Sequence, residues 1–340
     1  MEEGGSVCDW NALRFRLADP ERQLAGVRLY QRVGLRPDEF GYDEPARAWT
    51  LTVARPAAWR VEYLLELRRP DGDTELVCDP ANERRVAGAF GDKSVLECPD
   101  YQEPGWLRAT AAEGQWRELA IAAPPLGADV WCRVWSPDRP TELVLVAHDG
   151  PEYDKLASLG QYSAALIARG ELPPHHLVLL APGERDEWYS ANPAYAEALV
   201  EHVLPRLEAE LGTGRPVVAM GASLGALALL HAQRQRPEAF AGLFLQSGSF
   251  FLPRLDPQER GFSRYQRIIR FVGTAVREPR PPVPTVLTCG SVEENLANNR
   301  HMACALDAPL AEVPDGHNFT GWRDAFDPHL TRLLRQVWHA

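Results

Sequence analysis

The 340-residue chain has no run approaching the roughly 18 uninterrupted apolar residues of a membrane span, so no membrane segment is expected. It has no basic excess either. Its 36 Lys and Arg face 47 Asp and Glu, a net charge of −11, and phosphate binding needs a basic face, so no nucleic-acid partner is expected. The start, MEEGGSVCDW, is acidic where a secretory signal needs a basic segment and an apolar centre. A cytoplasmic location is the expectation. There is no C-x-x-C spacing: Cys8, Cys78, Cys98, Cys132, Cys289 and Cys304 are scattered, which reads as free thiols in a reducing compartment without structural zinc.

What is present is the composition of a soluble globular protein, 45% hydrophobic and 24% charged, long enough for two domains. From Arg14 to about Val95 short β-prone runs alternate with turns: LAGVRLYQRV, WTLTV, WRVEYLLELRR and ELVCD, with Asp71-Gly72-Asp73 as a turn. This predicts a small β-sandwich over residues 1–98, followed by a linker over 99–117 containing Pro99, Pro104 and Gly105. Beyond Glu118 the rhythm changes. An antiparallel-looking pair, Glu118–Ile121 and Asp129–Trp135, precedes short apolar runs at Leu143–Ala147, Leu177–Ala181, Val217–Met220, Leu243–Gln246, Val286–Cys289 and Leu310–Val313. Helical patterns lie between them, notably Ala194–Leu211 and Leu296–Leu306, so residues 118–340 read as an α/β domain with a mostly parallel sheet.

The organising stretch is Pro216 to His231, PVVAMGASLGALALLH, which reads as strand, sharp turn and helix around Gly221-Ala222-Ser223-Leu224-Gly225. A G-x-S-x-G pattern alone arises by chance in roughly one chain in ten of this length. The β-prone run before it and the helix former after it make it a nucleophile elbow, with Ser223 as the candidate nucleophile. Ligands of parallel sheets sit at the carboxyl ends of the strands. The residues following these ends are His148-Asp149-Gly150, Gly183-Glu184-Arg185, Ser223, Ser247-Gly248-Ser249, Ser291 to Glu294 and Asp315-Gly316-His317. Ser223, Glu293 and His317 follow the serine, acid, histidine order of α/β-hydrolases.

Serine needs a base, and His317 is the best placed; His148 precedes the serine, and His175 and His176 open a strand, where a solvated or capping role is expected. The base needs a carboxylate to hold its tautomer. Glu293 is preferred, Glu294 is next, and Asp315 is expected to bond its own loop. An oxyanion hole would use the N–H of Leu224 and one from the Asp149-Gly150 turn. Phe250 to Pro281 carries Arg254, Arg260, Arg264, Arg267, Arg270, Arg277 and Arg280 against three acids. Arg260, Arg264 and Arg267 are expected on one helical face, either solvated or, with Arg185, forming a cationic wall for an anionic substrate.

The chain resembles the esterase D family of α/β-hydrolases, and within it the enterochelin (ferric enterobactin) esterases, over nearly its whole length. The carriers are the Asp149-Gly150 turn, LPPHHLVLLAPGERDEWY, AEALVEHVLPRLEAEL, GASLGALALLHAQRQRPEAFAGLFLQSGSF, CGSVEENLANN and DGHNFTGWRDAF. The N-terminal segment is similar to the sandwich that precedes the hydrolase in those enzymes. The resemblance implies Ser223 as nucleophile, Glu293 as acid and His317 as base, no cofactor or metal in the chemistry, and a catecholate siderophore ester as substrate for intracellular iron release. Two other functions compete: an esterase for feruloyl or acetyl esters of carbohydrates, and a catalytically inactive hydrolase fold that binds a partner.

Overall fold

The computed structural model describes residues 5–88, 91–214, 216–278 and 283–338. Arg280 and Pro281 of the arginine-rich segment lie outside the described residues. The chain divides into two compact units: 1–102 with Gly290–Glu293 and Val313–Gly321, and the remainder.

The first unit contains β1 (Val7–Cys8), β2 (Ala12–Ala18), β3 (Gly26–Gln31), β4 (Gly41–Asp43), β5 (Ala48–Ala54), β6 (Arg60–Arg68), β7 (Thr74–Val77), β8 (Arg85–Val86) and β9 (Lys93–Glu97). One sheet runs β1-β2-β5-β4; the other runs β3-β6-β9-β8, with β7 pairing β6. Period-2 alternation explains both. In β2, Leu13, Phe15 and Leu17 are buried between Arg14 and Arg16, and in β6 Val61, Tyr63 and Leu65 point the same way. These residues share one apolar cluster with Val27, Leu29, Leu51, Val53 and Leu96. The sequence reading omits β2 and β9, although the alternation in ALRFRLA carries the signal.

Cys8 and Cys98 are joined as a disulfide, with Cα atoms 5.2 Å apart, and this corrects the reading of six free thiols. Pairing across 90 residues is invisible to local spacing, and it removes the cysteine argument for a reducing compartment.

The second unit is built on β10 (Gly114–Ala123), β11 (Ala128–Pro137), β12 (Val144–Ala147), β13 (His176–Leu180), β14 (Val217–Ala222), β15 (Phe240–Gln246), β16 (Thr285–Gly290) and β17 (Leu310–Val313). The sheet order is β10-β11-β13-β12-β14-β15-β16-β17. The first two pairings are antiparallel, and those from β13 to β16 are parallel. The intervening helices are α1 (Gly150–Ala157), α2 (Leu159–Ala168), α3 (Arg185–Trp188), α4 (Pro193–Glu197), α5 (Leu204–Leu211), α6 (Leu224–Gln235), α7 (Tyr265–Arg277) and α8 (Leu296–Leu306), followed by α9 (Phe319–Asp324) and α10 (Thr331–Trp338). β12 and β14 are buried at every position, as strands covered on both faces must be. The helix expected over Ala194–Leu211 has one widened turn at Ala198–Val203, immediately before the donor-less Pro205.

The segment expected as a linker is partly structural. Gly114–Arg117 already belong to β10, and Trp106 is buried against Tyr162 and Phe326 at ring separations of 5.4 and 6.2 Å. Among the described residues no helix is long and apolar enough to cross a membrane.

Alkylation of the unfolded chain without reductant should label four thiols, Cys78, Cys132, Cys289 and Cys304, and reduction should add two. Six labelled thiols before reduction would refute the pairing. Because the bridge closes a loop of about 90 residues, replacing both cysteines by serine should lower unfolding stability by up to about 4 kcal/mol.

Candidate active site

In the second unit, Ser223 sits between β14 and α6 with φ 56° and ψ −121°, a backbone conformation that a non-glycine residue adopts only when its surroundings enforce it. They do. Its N–H donates to Gln246 O at 2.9 Å, and its carbonyl accepts from Ser249 N–H at 3.1 Å. A Cβ at Gly221 would lie 2.8 Å from the Gly225 carbonyl carbon, so the strand and helix approach this closely only because residue 221 is glycine. Ser223 Oγ lies 3.2 Å from Ser249 Oγ. Ser249, which the strand-end pattern contains without a role, is thus part of this site.

The turn after β12 lies against the elbow. A Cβ at Gly225 would come 3.3 Å from His148 Cβ and 3.4 Å from Asp149 Oδ2. Asp149 has φ 50°, and Gly150 opens α1 with its Cα so close to the Leu179 backbone that a Cβ would lie 2.3 Å away. Asp149 N–H makes a long bond to Tyr189 Oη, 3.4 Å, and its carboxylate accepts two bonds of 2.8 Å from Arg185. Arg185 therefore braces this turn, a duty the sequence did not disclose.

Glu293 and His317 both lie in the first unit. His317 Nδ1 lies 2.8 Å from Glu293 Oε2, and Glu293 Oε1 accepts the Gly290 N–H at 2.7 Å, so both carboxylate oxygens are engaged and Glu293 is 7% exposed. Glu294 is exposed. Asp315 does bond its own loop, accepting from Gly316 N–H at 2.7 Å and Asn318 Nδ2 at 2.9 Å, and it also receives Arg60 Nε at 2.6 Å.

The other histidines have different fates. His148 is fully buried with Nε2 2.9 Å from Tyr195 Oη, and burial, followed by the charge of Arg185, pushes it down to about 3. His175 corrects the solvated or capping expectation: it is fully buried between Pro173 O at 3.0 Å and Ser163 Oγ at 3.1 Å, and burial pushes it down to about 4.

The arginine face is also corrected. α7 begins only at Tyr265, so Arg260 lies in a separate turn, Pro257–Gly261, exposed, while Arg264 caps the helix and Arg267 is in its first turn. Arg264 and Arg267 both pair with Glu187, and Arg267 also donates to Ser190 O at 2.6 Å and Glu187 O at 2.7 Å. The Arg267 hydrogen bond chiefly holds the Glu187 carboxyl below its ordinary range. These two guanidinium groups tie α7 to α3. Among the described residues no group of three His, Cys, Asp or Glu could hold a metal ion.

Arg267→Glu should lower the melting temperature and impair neutral and anionic esters alike, because it sets a carboxylate against Glu187 and severs the tie to α3. Arg260→Glu should leave the melting temperature unchanged. An Arg267→Glu enzyme of wild-type stability, with only the anionic ester affected, would restore the cationic-wall reading.

Residues 133–333 match the Esterase family model, described as "Putative esterase". The Iron(III) enterobactin esterase of Escherichia coli strain K12 is 28% identical over 335 residues, covering 86% of this chain and 80% of that one. The crystal structure of the enterobactin esterase from Shigella flexneri in the presence of enterobactin superposes with a TM-score of 0.76 at 21% identity, over 96% of this chain and 93% of that one. A ferulic acid esterase superposes with a TM-score of 0.54 at 15% identity, over 66% of this chain and 99% of that one. The likeness to the solved structures establishes the shared α/β fold. The family match covers more than half of the sequence, and the chain belongs to the Esterase family, as an enterochelin esterase-like member.

Proposed function

We propose that this chain is a serine esterase acting through an acyl-enzyme on Ser223, with His317 as general base and acid and Glu293 as the group that holds the imidazole. The observation that carries the reading is the 2.8 Å contact between His317 Nδ1 and the buried Glu293 carboxylate. It engages Nδ1, so in this reading proton transfer runs through Nε2. The strained elbow at Ser223 is the second support. Ser223 Oγ attacks the ester carbonyl carbon as its proton passes to His317, and the oxyanion is met by the N–H of Leu224 and one from the Asp149-Gly150 turn. Collapse expels the alcohol, which takes the proton from His317. Water then repeats the cycle and frees the acid.

The substrate class we propose is a catecholate siderophore ester, an enterobactin-like trilactone, cleaved in the cytoplasm so that its iron is released; the iron belongs to the substrate. The support is that the enterobactin esterases align over both units, whereas the ferulic acid esterase aligns over 66% of the chain. In this reading the first unit is the β-sandwich module, residues 1–98, joined through 99–117 to the catalytic domain, 118–340.

Ser223→Ala should leave only the residual acceleration of the oxyanion hole and binding, on the order of 10³ to 10⁴ over water, and His317→Ala should fall about as far. Glu293→Gln should cost less than either, and Glu294→Gln almost nothing. Chromatographic assay of enterobactin hydrolysis beside a neutral p-nitrophenyl ester checks this. Retention of more than a few per cent of turnover in Ser223→Ala would end the serine mechanism, and hydrolysis of the neutral ester alone would end the siderophore assignment.

A further inference from the structure

β6 faces two ways. Val61, Tyr63 and Leu65 enter the apolar core of the first unit, and the alternate residues Arg60 and Glu62 lie on the opposite side. Around that side pack the two turns that carry the proposed acid and base, Gly290–Glu293 and Val313–Gly321, which belong to the same compact unit. Ser291 Oγ donates to Ala57 O at 2.9 Å, and Trp59 N–H donates to Pro314 O at 2.6 Å. Arg60 Nε donates to Asp315 Oδ2 at 2.6 Å, and Thr320 Oγ1 donates to Glu62 Oε1 at 3.2 Å.

Asp315 is the hub of the histidine loop. Its carboxylate gathers Arg60, Gly316 and Asn318, and Asn318 Oδ1 in turn accepts the Gly321 N–H at 2.6 Å. A Cβ at Gly290 would lie 2.2 Å from Asp315 O and 2.6 Å from Glu293 Oε1, so the acid turn rests directly on Asp315. Arg60 is 2% exposed and Asp315 1%, and the guanidinium lies 4.3 Å from the centre of the Tyr101 ring. A buried carboxylate deprived of such a partner is strongly destabilising to its surroundings.

We propose that Arg60 is a positioning residue for ester cleavage: through Asp315 it fixes the loop that carries His317 and so sets the hydrogen bond between His317 and Glu293. The inference rests on the reading of His317 as the base. A catalytic side chain must be held to within about 0.5 Å, and a misplacement of about 1 Å can cost on the order of 10² in rate. Arg60 acts on neither ester nor nucleophile; it limits where the imidazole can be.

The test compares Arg60→Met, Arg60→Lys and the double variant Arg60→Met/Asp315→Asn on a neutral p-nitrophenyl ester, normalised to the folded fraction by circular dichroism. The double variant removes the stranded carboxylate charge and keeps the question open if Arg60→Met folds poorly. Arg60→Met and the double variant should each lower kcat roughly 10- to 100-fold with KM little changed, and Arg60→Lys should recover part of the loss. The far-downfield proton resonance of His317 Nδ1–H, assigned by its loss in His317→Ala, should shift or broaden in the same variants. Wild-type kcat and an unmoved resonance in folded Arg60→Met, or in the double variant, would overturn the inference. His317→Ala separates the two levels. Full turnover in that variant takes down the functional reading and this inference with it, whereas an inactive His317→Ala beside a fully active Arg60→Met removes only the inference.

Discussion

A backbone held at φ 56° and ψ −121° at Ser223 is the constraint on which the second unit is arranged. Such a conformation costs on the order of 1–3 kcal/mol and persists only where the surroundings over-determine it. Here β14 is flanked by parallel partners on both sides, and α6 is buried along nearly its whole length. Burial of a single large apolar side chain contributes about 1.5–3 kcal/mol, and Val218, Met220, Leu227 and Leu229 are each fully buried. The packing outweighs the strain several times over, so the serine is presented by a rigid support.

Rigidity continues into the polar groups behind the elbow. Asn299 accepts Gly248 N–H and donates to Gly248 O, both at 2.9 Å, and Asn298 donates to Asp256 at 2.8 Å. Asp256 then accepts the Leu252 N–H at 2.7 Å. Burial raises the Asp256 carboxyl above its usual range, with the Leu252 and Asn298 bonds opposing. Gln246 is satisfied by Tyr153, Thr288 and Trp322. A buried amide without partners is costly, so this network has one well-satisfied arrangement, and it holds Ser249 against Ser223.

Much of this was legible beforehand. Short apolar runs marked the parallel strands to within a few residues, because a strand covered on both faces has few polar positions to blur it. The strand, turn and helix around Ser223 were equally plain. Which of Glu293 and Glu294 meets His317 was not: adjacent residues after one strand differ only in which way a turn directs them, and here Glu293 N–H closes onto Gly290 O at 3.2 Å. Arg60 could not be found at all. Its position in β6 is the one that a solvated side chain ordinarily takes, and its partner Asp315 lies 255 residues away. The Cys8–Cys98 bridge and the tie from Arg264 and Arg267 to Glu187 escaped for the same reason. Long-range pairing leaves no local period.

Two histidines, His148 and His317, follow strand ends as candidate bases, and electrostatics separates them more firmly than chain order does. A general base must become a cation as the serine proton leaves. At His148 that cation would form in a fully buried site beside Arg185, and burial, followed by that charge, holds the ring down to about 3. Its Nε2 is moreover engaged with Tyr195. His317 is 26% exposed at its side chain and has a carboxylate 2.8 Å from Nδ1, so a positive charge on this ring would be met by an opposite one. The same burial that would disable a base at His148 suits it to a structural task. A ring kept neutral by burial can stand next to Asp149 without adding a second positive charge to Arg185, whose charge is already matched by Asp149.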